Sequence, residues 1–358
     1  MMKKGLWTGC MILLILCISL VSCQKKDSGI IKIAMMPQFK GENYFDAIKI
    51  GAEEAIAELN KDGKKVDFFY DGPPQDQATN QKQVDIMEGW IAQKADVIII
   101  CPNDPDAIIP TLKKAMDRGI KVMTYDTDCP EEGRELFVNQ AMSSDLGDAL
   151  VKAAADSLRA KGYGPGNTAN LAIVHTTKTD TTTMDWGQSV LKTIARPEYN
   201  WIVVKNQDTD MYFPGWDETT TQAQCGTVIG RMGTGPDQIQ VAIGLSSMSA
   251  PALASQFEAA AQKPDYTKLS ITGLATPNAL KSYIKNPQNP LDAGILWNCM
   301  DFGYLSIHTG FQLATGVISA SSRSLNAGRM GAKEIVDGMV LLGPALIFDK
   351  NNVDLYDY

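Results

Sequence analysis

The sequence predicts an α/β protein in which two doubly wound parallel sheets form two lobes in tandem. Short apolar runs alternate regularly with segments whose apolar residues recur at helical spacing. One run, DVIIIC at 96–101, is apolar on both faces, as a strand in the middle of a parallel sheet must be. The same alternation begins again near residue 139, and 358 residues are enough for two such lobes.

The first half of the chain reads as four strands joined by three helices. Apolar residues of FDAIKIGAEEAIAELN recur on one helical face, and Gly119 ends the third helical segment. Strands that are connected through helices run parallel, with helices on both faces of the sheet. The predicted strands are IKIAMM (31–36), VDFFYD (66–71), DVIIIC (96–101) and KVMTYD (121–126).

The second half repeats this organisation. A helix at 145–162 opens it, with leucines and an alanine four residues apart. Five short apolar runs follow, mostly with helical segments between them, and they predict the second sheet. These runs are LAIVHT, WIVVKN, VAIGLS, SITGLA and AGILWN.

The first 23 residues differ in kind from the rest. Two lysines precede the apolar stretch MILLILCISLV, which is too short for a membrane span and is typical of a signal peptide at 1–22. The stretch ends in LVSC, which resembles a bacterial lipobox. That resemblance implies that Cys23 carries lipid and that residues 23–29 tether the protein to a membrane. The alternative is an ordinary signal peptide with a chance cysteine.

Composition and motifs argue against several function classes. The net charge of −8 does not suit a nucleic-acid surface. The two histidines, His175 and His308, show no metal-ligand spacing, and no dinucleotide, Walker or GxSxG motif occurs in its expected context. We therefore expect no catalytic residue, no metal and no cofactor. One enzyme alternative stays open, because Asp126 and Asp128 could form the carboxylate pair of a glycosidase.

Ligands of open parallel sheets bind outside the carboxyl ends of the strands, and this rule selects the candidate site. The polar and aromatic residues found there suit a neutral polyol, because carboxylates and amides bond hydroxyls and aromatic faces cover C–H groups. Phe45 and Trp186 could equally be core residues, and Thr182 could cap a helix. Asp128 is expected to face solvent. The candidate ligand-binding residues are Gln38, Tyr44, Phe45, Asp126, Thr182, Trp186, Ser247, Trp297 and Asn298.

Four cysteines lie beyond Cys23, and no CxxC motif or dense disulfide framework is present. We expect them to be mostly free structural thiols. They are Cys101, Cys129, Cys225 and Cys299.

Several long blocks resemble the sugar-binding proteins of bacterial ABC importers. The blocks are CPNDPDAIIPTLKKAMDRGIKVMTYDTD, ITGLATPN, ILWNCMDFGY and LNAGRMG, and the likeness is greatest to the rhamnose-binding and autoinducer-2-binding branch. The resemblance implies a type I periplasmic binding protein whose lobes are joined by three chain segments and close on the ligand. Lobe one would comprise 30–138 plus 299–328, and lobe two 139–298 plus 329–358.

Departures from family patterns bear on the ligand. Ribose binders carry Arg where this chain has Thr127 and Asp where it has Leu274. The autoinducer-2 receptor carries Lys at the position of Gln38 and Asp at that of Thr182, although Asp126 is shared. These differences favour a rhamnose-like deoxyhexose, with autoinducer-2 as an alternative.

The resemblance also implies partners and a location. The protein would be a monomeric, exported lipoprotein of the cell envelope that delivers a monosaccharide to an ABC permease. As an alternative, its closed form would dock on a histidine kinase or a chemoreceptor as a sensor.

Overall fold

Two sheets with helices on their faces make up residues 29–358, the part of the chain that the computed structural model describes. The strands are β1 (Ile30–Met36), β2 (Lys65–Tyr70), β3 (Val97–Ile100), β4 (Lys121–Tyr125), β5 (Leu136–Asn139), β6 (Ala169–Val174), β7 (Ile202–Val203), β8 (Met211–Tyr212), β9 (Val241–Gly244), β10 (Ser270–Leu274), β11 (Leu291–Leu296), β12 (Ser324–Asn326), β13 (Ala332–Val336), β14 (Met339–Leu341) and β15 (Leu346–Asp349). The helices are α1 (Asn43–Lys61), α2 (Asn80–Ala92), α3 (Ile109–Asp117), α4 (Ser143–Ala160), α5 (Thr181–Ile194), α6 (Gln207–Asp210), α7 (Glu218–Arg231), α8 (Ser249–Ala259), α9 (Pro277–Lys285) and α10 (Cys299–Ala314).

The first sheet has eight strands in the order β12-β13-β14-β5-β4-β3-β1-β2. β1 pairs with β3, β3 with β4, β4 with β5 and β5 with β14 in parallel, while β12 with β13 and β13 with β14 pair antiparallel at one edge. All four residues of β3 are fully buried, which explains why DVIIIC is apolar on both faces. The sheet with its helices forms lobe one.

The second sheet has seven strands, six of them in the order β15-β11-β10-β9-β6-β7, with β8 paired to β6. Its pairs are parallel except for β15, which runs antiparallel to β11 at the edge. Glycines in β9 and β10 permit tight packing, because a Cβ at Gly244 would clash with the backbone of Ala250 in α8. This sheet and its helices form lobe two.

The chain crosses between the lobes three times, as the predicted fold class requires. The crossings follow β5, β11 and β14, at 140–142, 297–298 and 342–345. Two of them run side by side, because β5 and β14 are parallel neighbours and the amide of Leu342 donates to the carbonyl of Asn139 at 2.8 Å.

The observed division of the C-terminal region differs from the expected one. Residues 329–358 were assigned to lobe two, but β13 and β14 belong to the first sheet and only β15 joins the second. The physical reason is that the antiparallel pairing of β12 with β13 and of β13 with β14 brings β14 beside β5. These strands have only three to five residues each, which is too few to show a clear alternation in the sequence.

α10 returns the chain to lobe one and packs closely against α1. A Cβ at Gly303 would overlap the carbonyl oxygen of Ile48, and one at Gly51 would overlap the carbonyl oxygen of Met300. Glycines at both positions therefore allow the two helix backbones to approach each other. The contact between α1 and α10 therefore holds α10, the helix that follows the second crossing, against lobe one.

The four cysteines of the described chain are free and buried. No helix within residues 29–358 is long and apolar enough to cross a membrane. The predicted signal peptide and the predicted lipid site at Cys23 lie outside the described residues.

Candidate functional site

A cavity lies between the two lobes, at the carboxyl ends of their strands, and contains about 520 Å³ of space, including the part that is open to solvent. Lobe one supplies Gln38, Phe39, Glu42, Tyr44, Phe45, Asp126 and Thr127. Trp297 lies at the second crossing between the lobes, and lobe two supplies Asp180, Thr182, Thr183, Trp186, Trp216, Leu245, Ser246, Ser247, Leu274 and Leu296.

Asp126 follows β4 directly and turns the chain out of the sheet. Its φ of 63° is unusual for a residue other than glycine, and this conformation ends the strand so that the side chain enters the cavity. The hydroxyl of Tyr44 donates to Oδ1 at 2.7 Å, and the thiol of Cys101 donates to Oδ2 at 3.4 Å. Burial raises the pKa of Asp126 to about 6, although both hydrogen bonds act to lower it.

Two further carboxylates reach the cavity from helix N-termini. Asp180 caps α5, accepting from the amide of Thr183 at 3.2 Å. Glu42 precedes α1, and burial raises its pKa to about 7 against the opposing effect of the Ser247 hydroxyl nearby in lobe two. The negative charge of Asp180 also raises the pKa of Asp126, so the carboxylates influence one another across the cavity.

Aromatic rings form the apolar part of the wall. Trp297 lies between the other rings, with its centroid 5.8 Å from that of Tyr44 and 5.9 Å from that of Trp186. Phe39 of lobe one meets Trp216 of lobe two at 5.6 Å, so this contact spans the two lobes. Edge-to-face and tilted packing of this kind is favourable and fixes the ring positions.

The indole nitrogen of Trp297 is a buried donor without a partner. Among residues 29–358, no acceptor lies within hydrogen-bonding distance of it. A buried N–H without an acceptor costs about 1–3 kcal/mol. Since Trp297 lines the cavity, a ligand oxygen could remove that cost.

Thr127 connects the lobes through hydrogen bonds to its hydroxyl oxygen. The amide nitrogen of Gln38 donates to it at 3.3 Å within lobe one. The hydroxyl of Thr182 donates to it at 3.4 Å from lobe two. Gln38 also donates to the carbonyl of Pro102 at 3.4 Å, and this second bond holds its amide in place. The lobes are therefore in direct contact at this side of the cavity.

The structure brings eight of the nine predicted ligand-binding residues to this one cavity. Phe45 and Trp186, for which core and site were both open, are buried and line it as well. The eight are Gln38, Tyr44, Phe45, Asp126, Thr182, Trp186, Ser247 and Trp297.

Asn298 is the exception among the predicted site residues. Its side chain caps α10 by accepting from the amide of Asp301 at 3.0 Å, and it does not line the cavity. The strand-end rule selected it because it follows β11, but the position also precedes a helix, where asparagine is a preferred cap.

Asp128 is not a partner of Asp126, and its expected exposure to solvent is also not what the structure shows. Both of its carboxylate oxygens accept from Arg134, at 2.8 and 2.6 Å, and Thr124 donates to it as well. The side chain is partly buried in this ion pair. A carboxylate held in this way does not serve as one half of an acid–base pair with Asp126.

Sequence reasoning missed several lining residues. Leu245, Leu274 and Leu296 end or follow strands, but leucine there continues the apolar strand pattern and gives no signal of its own. Glu42 could have been found, because it lies in the loop between the first predicted strand, 31–36, and the helix predicted to begin at Phe45. Trp216 lies in an irregular segment that no strand-end rule reaches.

The charge of the wall restricts the ligands that fit. Within the described chain, no lysine, arginine or histidine lines the cavity, whereas three carboxylates do. An anionic ligand would be repelled, and the acceptors, hydroxyl groups and rings together can bond and cover a small hydroxylated molecule.

Comparison with known proteins agrees with this geometry. Three solved structures cover 91–92% of this chain and 98–100% of their own. LsrB from Clostridium saccharobutylicum in complex with AI-2 is 23% identical, with a TM-score of 0.80. An ABC transporter solute-binding protein from Clostridium phytofermentas with bound L-rhamnose is 21% identical at 0.77, and a sugar ABC transporter protein from Actinomyces odontolyticus is 22% identical at 0.72.

These likenesses establish the fold. A family model described as a periplasmic binding protein domain matches residues 33–317, which is most of the chain. That family consists of solute-binding proteins, which are not enzymes. The chain belongs to the periplasmic binding protein family.

Proposed function

We propose that this protein binds a monosaccharide between its lobes and delivers it to the permease of an ABC importer. The observation that carries the proposal is Asp126, a carboxylate fixed by Tyr44 inside a cavity walled by tryptophans. An ionised acceptor forms stronger hydrogen bonds to hydroxyl groups than a neutral one does. The rings cover the C–H faces of a sugar, and the absence of basic residues among the described lining residues disfavours a phosphorylated ligand.

A rhamnose-like deoxyhexose is the favoured ligand. Leu245, Leu274 and Leu296 give the wall an apolar section in which a methyl group would lose no hydrogen bond. A hexose with a hydroxyl at that carbon would have to leave the hydroxyl without a partner there. The bound L-rhamnose of the Clostridium phytofermentas protein supports the same class.

Reception of autoinducer-2 is the second candidate, and the AI-2 complex of the LsrB protein supports it. Asp126 would serve either ligand. Gln38 favours the sugar over autoinducer-2. Its side-chain amide donates hydrogen bonds to Thr127 and Pro102, and it brings no positive charge into the cavity.

The proposal includes export and lipid anchoring. Residues 1–22 would be removed and Cys23 would be lipidated. The lipid would hold the protein at the outer side of a membrane. The anchored protein would be a monomer. Incorporation of a radiolabelled fatty acid into the full-length chain, with Cys23→Ser as the control, tests this part. Equal labelling of both proteins would remove the lipid anchor from the proposal.

A thermal-shift panel tests the ligand class. A ligand present at about 100 times its Kd adds about 2.7 kcal/mol to the stability of the folded state, which raises Tm by a few degrees. The panel contains L-rhamnose, L-fucose, D-galactose, D-ribose and AI-2. We expect the largest shift with L-rhamnose. A shift with AI-2 alone would favour the receptor, and no shift with any sugar would overturn the sugar proposal.

Transport and sensing use the same closed form, so a separate experiment distinguishes them. Uptake of the radiolabelled sugar by cells lacking this protein should fall strongly if it serves import. Normal uptake, together with loss of a sugar-induced transcriptional response, would instead assign it to a histidine kinase or chemoreceptor.

A further inference from the structure

A second space adjoins the ligand cavity at the mouth between the lobes. This outer groove has a volume of about 980 Å³, including the part that is open to solvent. Lobe one contributes Asn43 and Gln75 to it, and lobe two contributes Gln222, Met248 and Tyr283. The groove is therefore assembled only when both lobes are in place.

Glu42 and Ser247 line both the cavity and the outer groove. They come from opposite lobes and together form the partition between the two spaces. Glu42 makes no side-chain capping bond to α1, and both residues are only partly buried. The hydroxyl of Ser247 and the backbone of Tyr44 and Phe45 lie close enough to the Glu42 carboxylate to lower its pKa. A substituent on the ligand would have to separate Glu42 from Ser247 in order to pass between them.

The opposite flank of the cavity is closed by hydrogen bonds and by a ring contact between the lobes. A smaller space of about 300 Å³ lies there, and it shares Gln38, Thr127, Asp180 and Trp216 with the cavity. Thr127 accepts two hydrogen bonds in this wall, and Phe39 packs against Trp216. A substituent leaving on this side would have to break several contacts between the lobes.

The lining of the outer groove suits a second hydroxylated unit. The side-chain oxygen of Gln222 accepts hydrogen bonds from Ser255 and Gln256, and these two bonds fix the orientation of its NH₂ group. Tyr283 and Met248 supply a ring and an apolar edge. No basic residue of the described chain lines the groove, so an anionic substituent is disfavoured here as in the cavity.

We propose that the protein also binds glycosides, with the monosaccharide in the cavity and its glycosidic substituent passing between Glu42 and Ser247 into the outer groove. This inference rests on the proposed sugar-binding function and extends its substrate class from free sugars to substituted ones. Tyr283 and Gln222 would contact only the substituent. They would therefore affect the binding of glycosides and not that of free sugars.

Calorimetry on the mature chain tests the proposal. The probes are L-rhamnose, L-fucose, D-galactose and D-ribose, each as the free sugar and as its α and β methyl and p-nitrophenyl glycosides. At least one anomer should bind about as tightly as its free sugar. Tyr283→Ala should weaken p-nitrophenyl glycoside binding about fivefold or more and change free-sugar binding less than about twofold. Gln222→Ala provides a second variant in case the first fails to fold.

The control is Thr179→Ala, which alters the space on the opposite flank and should leave glycoside binding unchanged. Free sugars that bind while every glycoside fails would overturn the inference and leave the proposed function intact. If neither free sugars nor glycosides bind, both proposals are wrong. Glycoside binding that depends on Thr179 and not on Tyr283 would also overturn the assignment of the outer groove.

Discussion

The hydroxyl of Tyr44 donates to Oδ1 of Asp126 at 2.7 Å, and this bond connects the first turn of α1 with the end of β4. It occupies one carboxylate oxygen and orients the other, which Cys101 also contacts. The carboxylate is thus fixed before a ligand arrives. Such preorganisation reduces the entropy that binding has to overcome.

Asp126 should account for a large part of the sugar affinity. Removing a buried charged acceptor typically costs about 2–3 kcal/mol, so Asp126→Ala should weaken binding roughly 30-fold or more. Calorimetry with L-rhamnose measures the change. Asp128→Asn is the control, because this residue pairs with Arg134 outside the cavity. Unchanged affinity in Asp126→Ala would exclude the carboxylate from the ligand contacts.

The carboxylates should make the stability of the ligand-free protein depend on pH. In the folded chain the pKa of Asp126 is raised to about 6 and that of Glu42 to about 7. Because a raised pKa means that the folded state holds more protons, this stabilising contribution is fully present below about pH 4. It is lost as the pH rises through about 6 and 7.

Urea unfolding at about pH 5, 6, 7 and 8 measures this effect. The free energy of unfolding of the unmodified protein should fall across the series by about 1–2.5 kcal/mol per raised group, because part of the contribution is already lost below pH 5. Asp126→Asn and Glu42→Gln should each flatten the dependence. If the free energy of unfolding changed with pH in the same way in the unmodified protein and in both variants, Asp126 and Glu42 would not be the source of the pH dependence.

Trp297→Phe removes the indole N–H and keeps an aromatic ring at this position. The N–H has no partner among residues 29–358, so its removal relieves a cost of about 1–3 kcal/mol, while the smaller ring loses packing in a buried position. These effects oppose each other, and the stability of the ligand-free protein should change by less than about 1.5 kcal/mol. Sugar affinity should fall about three- to tenfold if the N–H donates to a ligand oxygen. Chemical denaturation and calorimetry on the same preparation provide both values. An unaltered affinity would mean that Trp297 serves as an apolar surface only.

Gly303→Ala should destabilise lobe one. The added Cβ overlaps the carbonyl oxygen of Ile48 in α1, and backbone cannot move aside as a flexible side chain can. We expect a loss of about 2 kcal/mol or more in the free energy of unfolding. Gly89→Ala in α2 is the matched control, since its Cβ would meet nothing closer than 4.0 Å. This substitution should raise the free energy of unfolding by about 0.5–1 kcal/mol. Equal effects of the two substitutions would show that the helices can separate without cost.

Strong local patterns made the centre of each sheet predictable. β3 is apolar along its whole length, and β6 is apolar except for Asn170, because helices cover both faces of each sheet, and such runs are clear in a sequence. The edge strands β12, β13 and β14 are short and partly exposed, so only their pairing with β5 in three dimensions defines them. The predicted C-terminal boundary of lobe one was wrong for this reason.

The site was predictable where a polar or aromatic residue follows a strand, as for Asp126 and Trp297. The same rule could not distinguish Asn298, which caps a helix, from a residue that faces the cavity. Glu42 and Ser247 illustrate what a sequence leaves out. Their joint role in the partition depends on how the two lobes meet, and no spacing along the chain encodes that contact directly.

The position of β14 between β5 and β13 also has a consequence for biosynthesis. The first sheet cannot be completed until residues 339–341 have left the ribosome, and these follow the end of their neighbour β5 by 200 residues. Lobe one therefore lacks its edge, and one of its crossings to lobe two, while β6 to β11 of lobe two are being synthesised. A nascent chain that cannot finish folding early stays competent for threading through a secretion channel, which suits a protein that matures beyond the cytoplasmic membrane.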